Sequence, residues 1–344
     1  MTALTSVPRR SSYTGFRAYI KAIGTGQRGR RALSREEARD ALRAILTGEA
    51  TPAQAAAFLL AMRIKGETPD ELAGLTEALR ERAQPLEART ERPLVACAGG
   101  YDGCVDAPSL SLAAAVVAAG AGAGVIVHCG ATLGPKYGVT PADVLGALGG
   151  PARPSGAESE AMLERSGVTV VHAGAALDGW DAVAAIRDEI GLRGPIHSVE
   201  KLVDYFGARR FVVGYTHAQY AERLCGALEL LDAETAYAVR GPEGSDVLRP
   251  GRPVAHFAGE PMELPESLGD RLPDAPGADA AAALTRAVVA GEADRLVATC
   301  VTLSAGLRLH ATGQADTVLR GMAAARAAIG DGRAQAALDA FTGT

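Results

Sequence analysis

The chain has 344 residues, 48% of them hydrophobic, with a formal charge of −5 and only 4% aromatics. That length buries a large core as one big domain or two unequal ones. An acidic total gives no global field for nucleic acid or a membrane, and so few aromatics leave little to stack unpaired bases.

The start, MTALTSVPRRSSYTGF, has no apolar stretch of a secretion signal. No run reaches the ~20 uncharged apolar residues of a membrane span; 107–127 comes closest and is broken by Gly120, Gly122 and Gly124. A soluble, cytoplasmic protein is expected. A basic run, GQRGRR at 26–31, sits near Arg9, Arg10, Arg17 and Lys21.

Residues 34–83 read as antiparallel helices. Ser34 with Glu37, Thr51 with Gln54 and Thr68 with Glu71 have the spacing of capping boxes, two of them with proline at the first helical position. Gly48 and Gly66 follow two of the helices, where a left-handed residue belongs. So small a unit exposes more apolar surface than it buries alone, which predicts a homodimer through it. Residues 84–93 read as a linker.

From 94 the pattern changes. Apolar runs at 94–97, 124–128, 168–172, 210–215 and 235–239 predict strands. Helices are predicted near 108–120, 140–149, 155–166, 179–190 and 217–231. This alternation implies a mostly parallel sheet covered by helices. The segment 240–272 reads as loops and short strands, and 274–342 as long Ala/Leu helices. Cys97, Cys104, Cys129, Cys225 and Cys300 form no C-x-x-C pair and read as reduced structural thiols.

The stretch ACAGGYDGCVDAPSLSL, 96–112, runs from a strand through glycines into a helix. That form can aim backbone amides at a phosphate; it is also the form of a tight turn that needs glycine for sterics. GAGAG at 120–124 lies between a helix and a strand, the reverse of the dinucleotide fingerprint. Lys136, in GATLGPKYG, is either a phosphate contact from a loop or a solvated lysine.

Taken whole, the chain resembles the anthranilate phosphoribosyltransferases, within the nucleoside phosphorylase/phosphoribosyltransferase superfamily, and most closely their divergent branch. ILTGEATPAQAAAFLLAMRIKGETPDELAG at 45–74, ADVLGALGG at 142–150, GLRGPIHSVEKLVDYFG at 191–207 and GYTHAQYAERL with VRGPEGSDVLRPGRP carry the resemblance. It implies a helical domain, 1–90, completed by helices near 155–190, and an α/β domain, 91–344, with the ligand in the cleft between them. It also implies a phosphoribosyl transfer enzyme and a homodimer. The family's G-T-G-G-D-G loop becomes Gly99, Gly100, Asp102 and Gly103, with Tyr101 inserted. Its N-x-S-T segment survives only as Ser111, near Ser109. Of its K-H-G-N-R, only His128 remains. By this resemblance Gly99, Gly100, Asp102, Gly103, Ser109, Ser111 and Lys136 hold phosphate and ribose. His128, Arg193 and His197 face the acceptor; of the family's paired D-E that holds Mg2+ only Asp246 remains, and Glu243, three residues before it, is the candidate second carboxylate.

The lost lysine, arginine and metal carboxylate matter because this transfer rests on positioning and electrostatics. Lys136, Arg240 or Arg249 are the candidate substitutes. The implied activity is a phosphoribosyltransferase-like enzyme acting on a ribosyl (pyro)phosphate and an aromatic or nitrogenous acceptor. Two alternatives stay open: a non-catalytic nucleic-acid-binding protein, which the acidic total disfavours, and a nucleoside phosphorylase.

Overall fold

Four helices lead the chain: α1 (Phe16–Gly24), α2 (Arg35–Leu46), α3 (Pro52–Lys65) and α4 (Pro69–Arg80). The last three start on complete capping boxes at Ser34, Thr51 and Thr68. Each box satisfies amides that a helix start leaves without partners. α2 packs on α4 and α1 on α3, which buries Leu42, Ile45, Phe58, Met62, Leu72 and Leu75. The structure is a computed structural model that describes residues 13–251, 253–262, 264 and 271–343. Arg9 and Arg10 of the basic region lie outside the described residues.

The rest alternates as the apolar runs predict. In chain order come β1 (Leu94–Ala98), α5 (Ser111–Gly120), β2 (Gly124–Cys129), α6 (Pro141–Leu148), α7 (Gly156–Ser166) and β3 (Val168–His172). The short α8 (Ala173–Ala176), α9 (Trp180–Ile190) and the single turn α10 (Ile196–Val199) lead to β4 (Arg210–Gly214), α11 (Gln219–Leu230) and β5 (Thr235–Val239). The hairpin β6 (Ala255–Phe257) and β7 (Glu260–Pro261) precedes α12 (Ala278–Val289), α13 (Arg295–Ala311), α14 (Val318–Gly330) and α15 (Arg333–Thr342).

The sheet order is β3-β2-β1-β4-β5-β6-β7. The first five strands are parallel, with Cys97 beside Val127 on one side and Val212 on the other; β6 and β7 run antiparallel. The core strands are buried on both faces, as parallel strands covered by helices must be. α5 is buried along most of its length and packs against α13 and α15; only an alanine-rich helix lets its neighbours approach so closely.

β1 to β3 wind one way and β4 to β5 the other. The loops after β1 and β4 therefore diverge and leave a crevice at the carboxyl ends of the strands, where open α/β sheets bind ligands. α9 packs on α2 and α3, and α10 on α4, which closes one wall of the crevice. α7 packs instead on β3 and α15, so only the later part of the 155–190 excursion joins the helical layer. No described helix is long and apolar enough to cross a membrane.

Candidate functional site

The glycine loop after β1 turns inward. A Cβ added at Gly99 would meet Ser245 Cα at 2.9 Å, and one at Gly103 would meet the Gly138 carbonyl oxygen at 2.4 Å. Gly103 also needs its φ of 71°, a left-handed value that favours glycine. These glycines thus make room for the protein's own backbone. The amides of the loop have internal acceptors: Gly100 donates to Gly244 O, Tyr101 to Glu200 Oε1, Gly103 to Gly100 O and Cys104 to Val139 O. The inserted Tyr101 is 1% exposed. Its hydroxyl donates to Glu200 O at 2.9 Å and lies 2.7 Å from His128 Nδ1. Its ring meets Trp180 edge to face at 5.5 Å. Tyr101 is therefore a plug that ties the loop to α9. Glu200, in turn, is paired with Arg187 inside the protein.

Beneath the loop, a cavity of about 20 Å³ is lined by Ser109, Ser111, His128, Gly99, Gly100 and Gly103. That space suits about one water. Gly99, Gly100, Gly103, Ser109 and Ser111, expected to hold phosphate, line this small space; the amides of Gly100, Tyr101, Gly103 and Cys104 donate within the protein and Ser111 Oγ donates to Asp246. His128 is the residue expected to face the acceptor. It is buried under the loop, and burial pushes its pKa down to about 3, so it is a neutral core histidine that does not line the cleft.

Above the loop, the crevice opens into a cleft of about 760 Å³. Arg63 from α3, Lys136 from the loop after β2, and Arg193 and Lys201 from the α9–β4 connection line it with positive charge. Asp102 and Glu243 supply the negative charge, and Tyr215, His217 and Tyr220 form an aromatic side. Lys201 is 7% exposed and donates to Gly214 O at 2.7 Å; burial pushes its pKa down to about 8. Lys136, read as either a phosphate contact or a solvated lysine, stands on the cleft wall. Arg249 instead donates to Gly241 O.

Asp102 is the hinge of this cleft. It is wholly buried, yet its Oδ2 accepts from Arg193 Nε at 3.1 Å and Nη2 at 2.8 Å. Lys136 Nζ lies 3.8 Å from Oδ1. Burial works against its charge, but the contacts from His197, Lys136 and Arg193 outweigh it and hold the carboxyl well below the usual range. His197 Nε2 lies 3.2 Å from Asp102 Oδ1 and 3.0 Å from Arg187 Nη2. It donates to the first or accepts from the second, because a neutral ring nitrogen does one or the other. Burial, with Arg187 alongside, pushes His197 down to about 3. Arg193, expected to face an acceptor, is thus already the partner of a buried carboxylate.

The expected magnesium pair does not fit. Asp246 is wholly buried; Oδ2 accepts from Arg308 Nη2 at 2.5 Å and Oδ1 from Ser111. Glu243, at a φ of 50°, accepts from the amides of Val105, Asp106 and Ala107 at 2.9–3.0 Å and faces Lys136 Nζ at 3.4 Å. Magnesium is usually held by carboxylate oxygens together with substrate phosphates, and here both carboxylates are committed to protein donors. Among the described residues, no group of three or more His, Cys, Asp or Glu is placed to hold a metal.

Comparison with known proteins agrees with this architecture. Residues 17–83 match the helical bundle domain of a glycosyl transferase family, and residues 96–335 match that family's α/β domain. The chain belongs to this family. It is 33% identical over 312 residues to the anthranilate phosphoribosyltransferase of Geobacillus kaustophilus, covering 87% of this chain and 90% of that one. The crystal structure of the Thermus thermophilus anthranilate phosphoribosyltransferase superposes with a TM-score of 0.83 at 30% identity, over 95% of this chain and 98% of that one. The Saccharomyces cerevisiae enzyme, in complex with PRPP and Mg, shares the fold at a TM-score of 0.81 and 17% identity, over 95% and 97% of the two chains.

Within this phosphoribosyltransferase family fold, several site residues escape sequence reading. Arg63 and Lys201 reach the cleft from separate elements, and only folding brings them together. Arg308 had a readable signal: a lone arginine in the apolar stretch SAGLRLHA is a buried charge that needs a partner.

Proposed function

We propose that this protein is a phosphoribosyltransferase whose donor and acceptor meet in the 760 Å³ cleft. The observation that supports this reading is the convergence of Arg63, Lys136, Arg193 and Lys201 with the aromatic side at Tyr215, His217 and Tyr220, at the sheet's switch point. The cations attract a diphosphate-bearing donor, and the aromatic side packs a flat acceptor. Asp102 Oδ1 lacks a hydrogen bond of good geometry and accepts from a ribose hydroxyl. An acceptor nitrogen attacks ribose C1, the bond from C1 to the diphosphate oxygen breaks with its electron pair on that oxygen, and the N–H proton passes to solvent. The protein's contribution is position and charge compensation.

Incubation with phosphoribosyl pyrophosphate and a panel of aromatic amines and nitrogenous bases tests this reading. Pyrophosphate release that depends on one class of acceptor is the expected result. Release no faster than without protein, for every acceptor, overturns it.

A cytoplasmic homodimer accompanies the proposal. All five cysteines are free and buried; Leu60 and Ile64 of α3 and Leu192 are exposed, with Leu60 and Leu192 lining one small pocket. Sedimentation equilibrium at twice the monomer mass is expected; a monomer at micromolar concentration rules the dimer out.

A further inference from the structure

The misfit of the expected metal site points to a substitute. Arg308 lies on α13, four residues after Ser304, and is wholly buried. Its Nη1 donates to Ser304 O at 2.9 Å, and its Nη2 donates to Asp246 Oδ2 at 2.5 Å. Ser304 Oγ in turn accepts from the Leu248 amide at 2.9 Å, which fixes the segment that carries Asp246. The other Asp246 oxygen is taken by Ser111, whose residue lines the cavity under the glycine loop. Asp246 lies directly behind that loop, since a Cβ at Gly99 would sit 3.5 Å from the Asp246 amide nitrogen. Without a partner, this carboxylate would project negative charge through a low-dielectric layer toward any anion above the loop. Arginine is suited to the place because it stays protonated and presents a fixed donor fork. Burial works against its charge, but Cys97 and Asp246 hold it firmly protonated.

We propose that Arg308 is a built-in counter-cation. Its guanidinium neutralises Asp246, the carboxylate expected to hold the metal, so the cleft binds its phosphorylated ligand without a divalent cation. The proposal rests on the phosphoribosyltransferase reading above. With Asp246 neutralised, the cleft residues leave an excess of positive charge: Arg63, Lys136, Arg193 and Lys201 against Asp102 and Glu243. A magnesium-free anion meets attraction there.

Isothermal titration with inorganic pyrophosphate tests this on the full chain, once in EDTA and once in excess magnesium. The unmutated protein is expected to bind in both, with dissociation constants within about threefold. Arg308→Met exposes the Asp246 charge; its affinity in EDTA is expected to fall by about tenfold or more, and magnesium is expected to restore it. The double variant Arg308→Met/Asp246→Asn removes both charges. It keeps the decision open if the single variant fails to fold, and it is expected to bind as the unmutated protein does, indifferent to metal. Binding by the unmutated protein or the double variant only in magnesium overturns the counter-cation and leaves the phosphoribosyltransferase reading standing. A lack of magnesium rescue in folded Arg308→Met also overturns it. No heat in any condition overturns both.

Discussion

The two sides of the loop after β1 are built from similar residues and behave in opposite ways. Below it, Tyr101, His128, Glu200 and Arg187 are buried and bonded to one another. The loop's glycines there press on backbone. Above it, Arg193, Lys136 and Asp102 are also paired, but the pairs face a cleft wide enough for a ligand. A ligand can compete for the upper charges at the rim, whereas reaching the lower ones means dismantling the core. Glycine and charge in a strand–loop–helix therefore do not make an anion cradle by themselves. Cradle or turn is decided by whether the loop's amides already have acceptors.

Substitutions sharpen this contrast. Tyr101→Ala removes a buried aromatic side chain that joins the loop to Trp180, and is expected to cost about 3–5 kcal/mol of stability. Urea unfolding measures it; a loss below about 1 kcal/mol would mean the lower side is not the structural one. Arg193→Ala, on the upper side, strips both guanidinium donors from Oδ2 of buried Asp102. It is expected to cost about 1.5–3 kcal/mol and to weaken pyrophosphate binding about tenfold. Weaker binding with unchanged stability would make Arg193 a ligand residue alone. The smallest expected effect, taken per pH unit, is a slope. His128 is held at about 3 in the folded protein, against about 6.5 when unfolded. Between these values the unfolded chain binds the extra proton, so stability is lost as pH falls below about 6.5, by up to about 1.4 kcal/mol per pH unit. His128→Gln is expected to flatten the slope between about pH 6 and 4; an unchanged slope would place His128 in contact with water.

Much of the fold was legible because it rests on local signals. The three boxes at Ser34, Thr51 and Thr68 set the helix starts, and the apolar runs set the parallel strands. The site was legible only as a neighbourhood. Asp102, Lys136, Arg193, His197 and Glu243 all reach the cleft, but the partners that decide their roles lie far away in the chain. Asp246 meets Arg308, 62 residues on, and Glu243 meets amides more than 130 residues before it. Nothing local to Asp246 or Glu243 announces those donors, so two occupied carboxylates read as a free pair. The direction of the inserted Tyr101 is hidden for the same reason: it is set by Glu200 and Trp180.

The most direct measurement is the crystal structure of the protein soaked with pyrophosphate. The diphosphate is expected in the open cleft, with oxygens within hydrogen-bond distance of Lys136 and Arg193 and the Gly99–Gly103 loop unmoved. A diphosphate beneath that loop, against Ser109, Ser111 and His128 with Tyr101 expelled, would contradict the assignment of the lower side to structure and the upper side to binding.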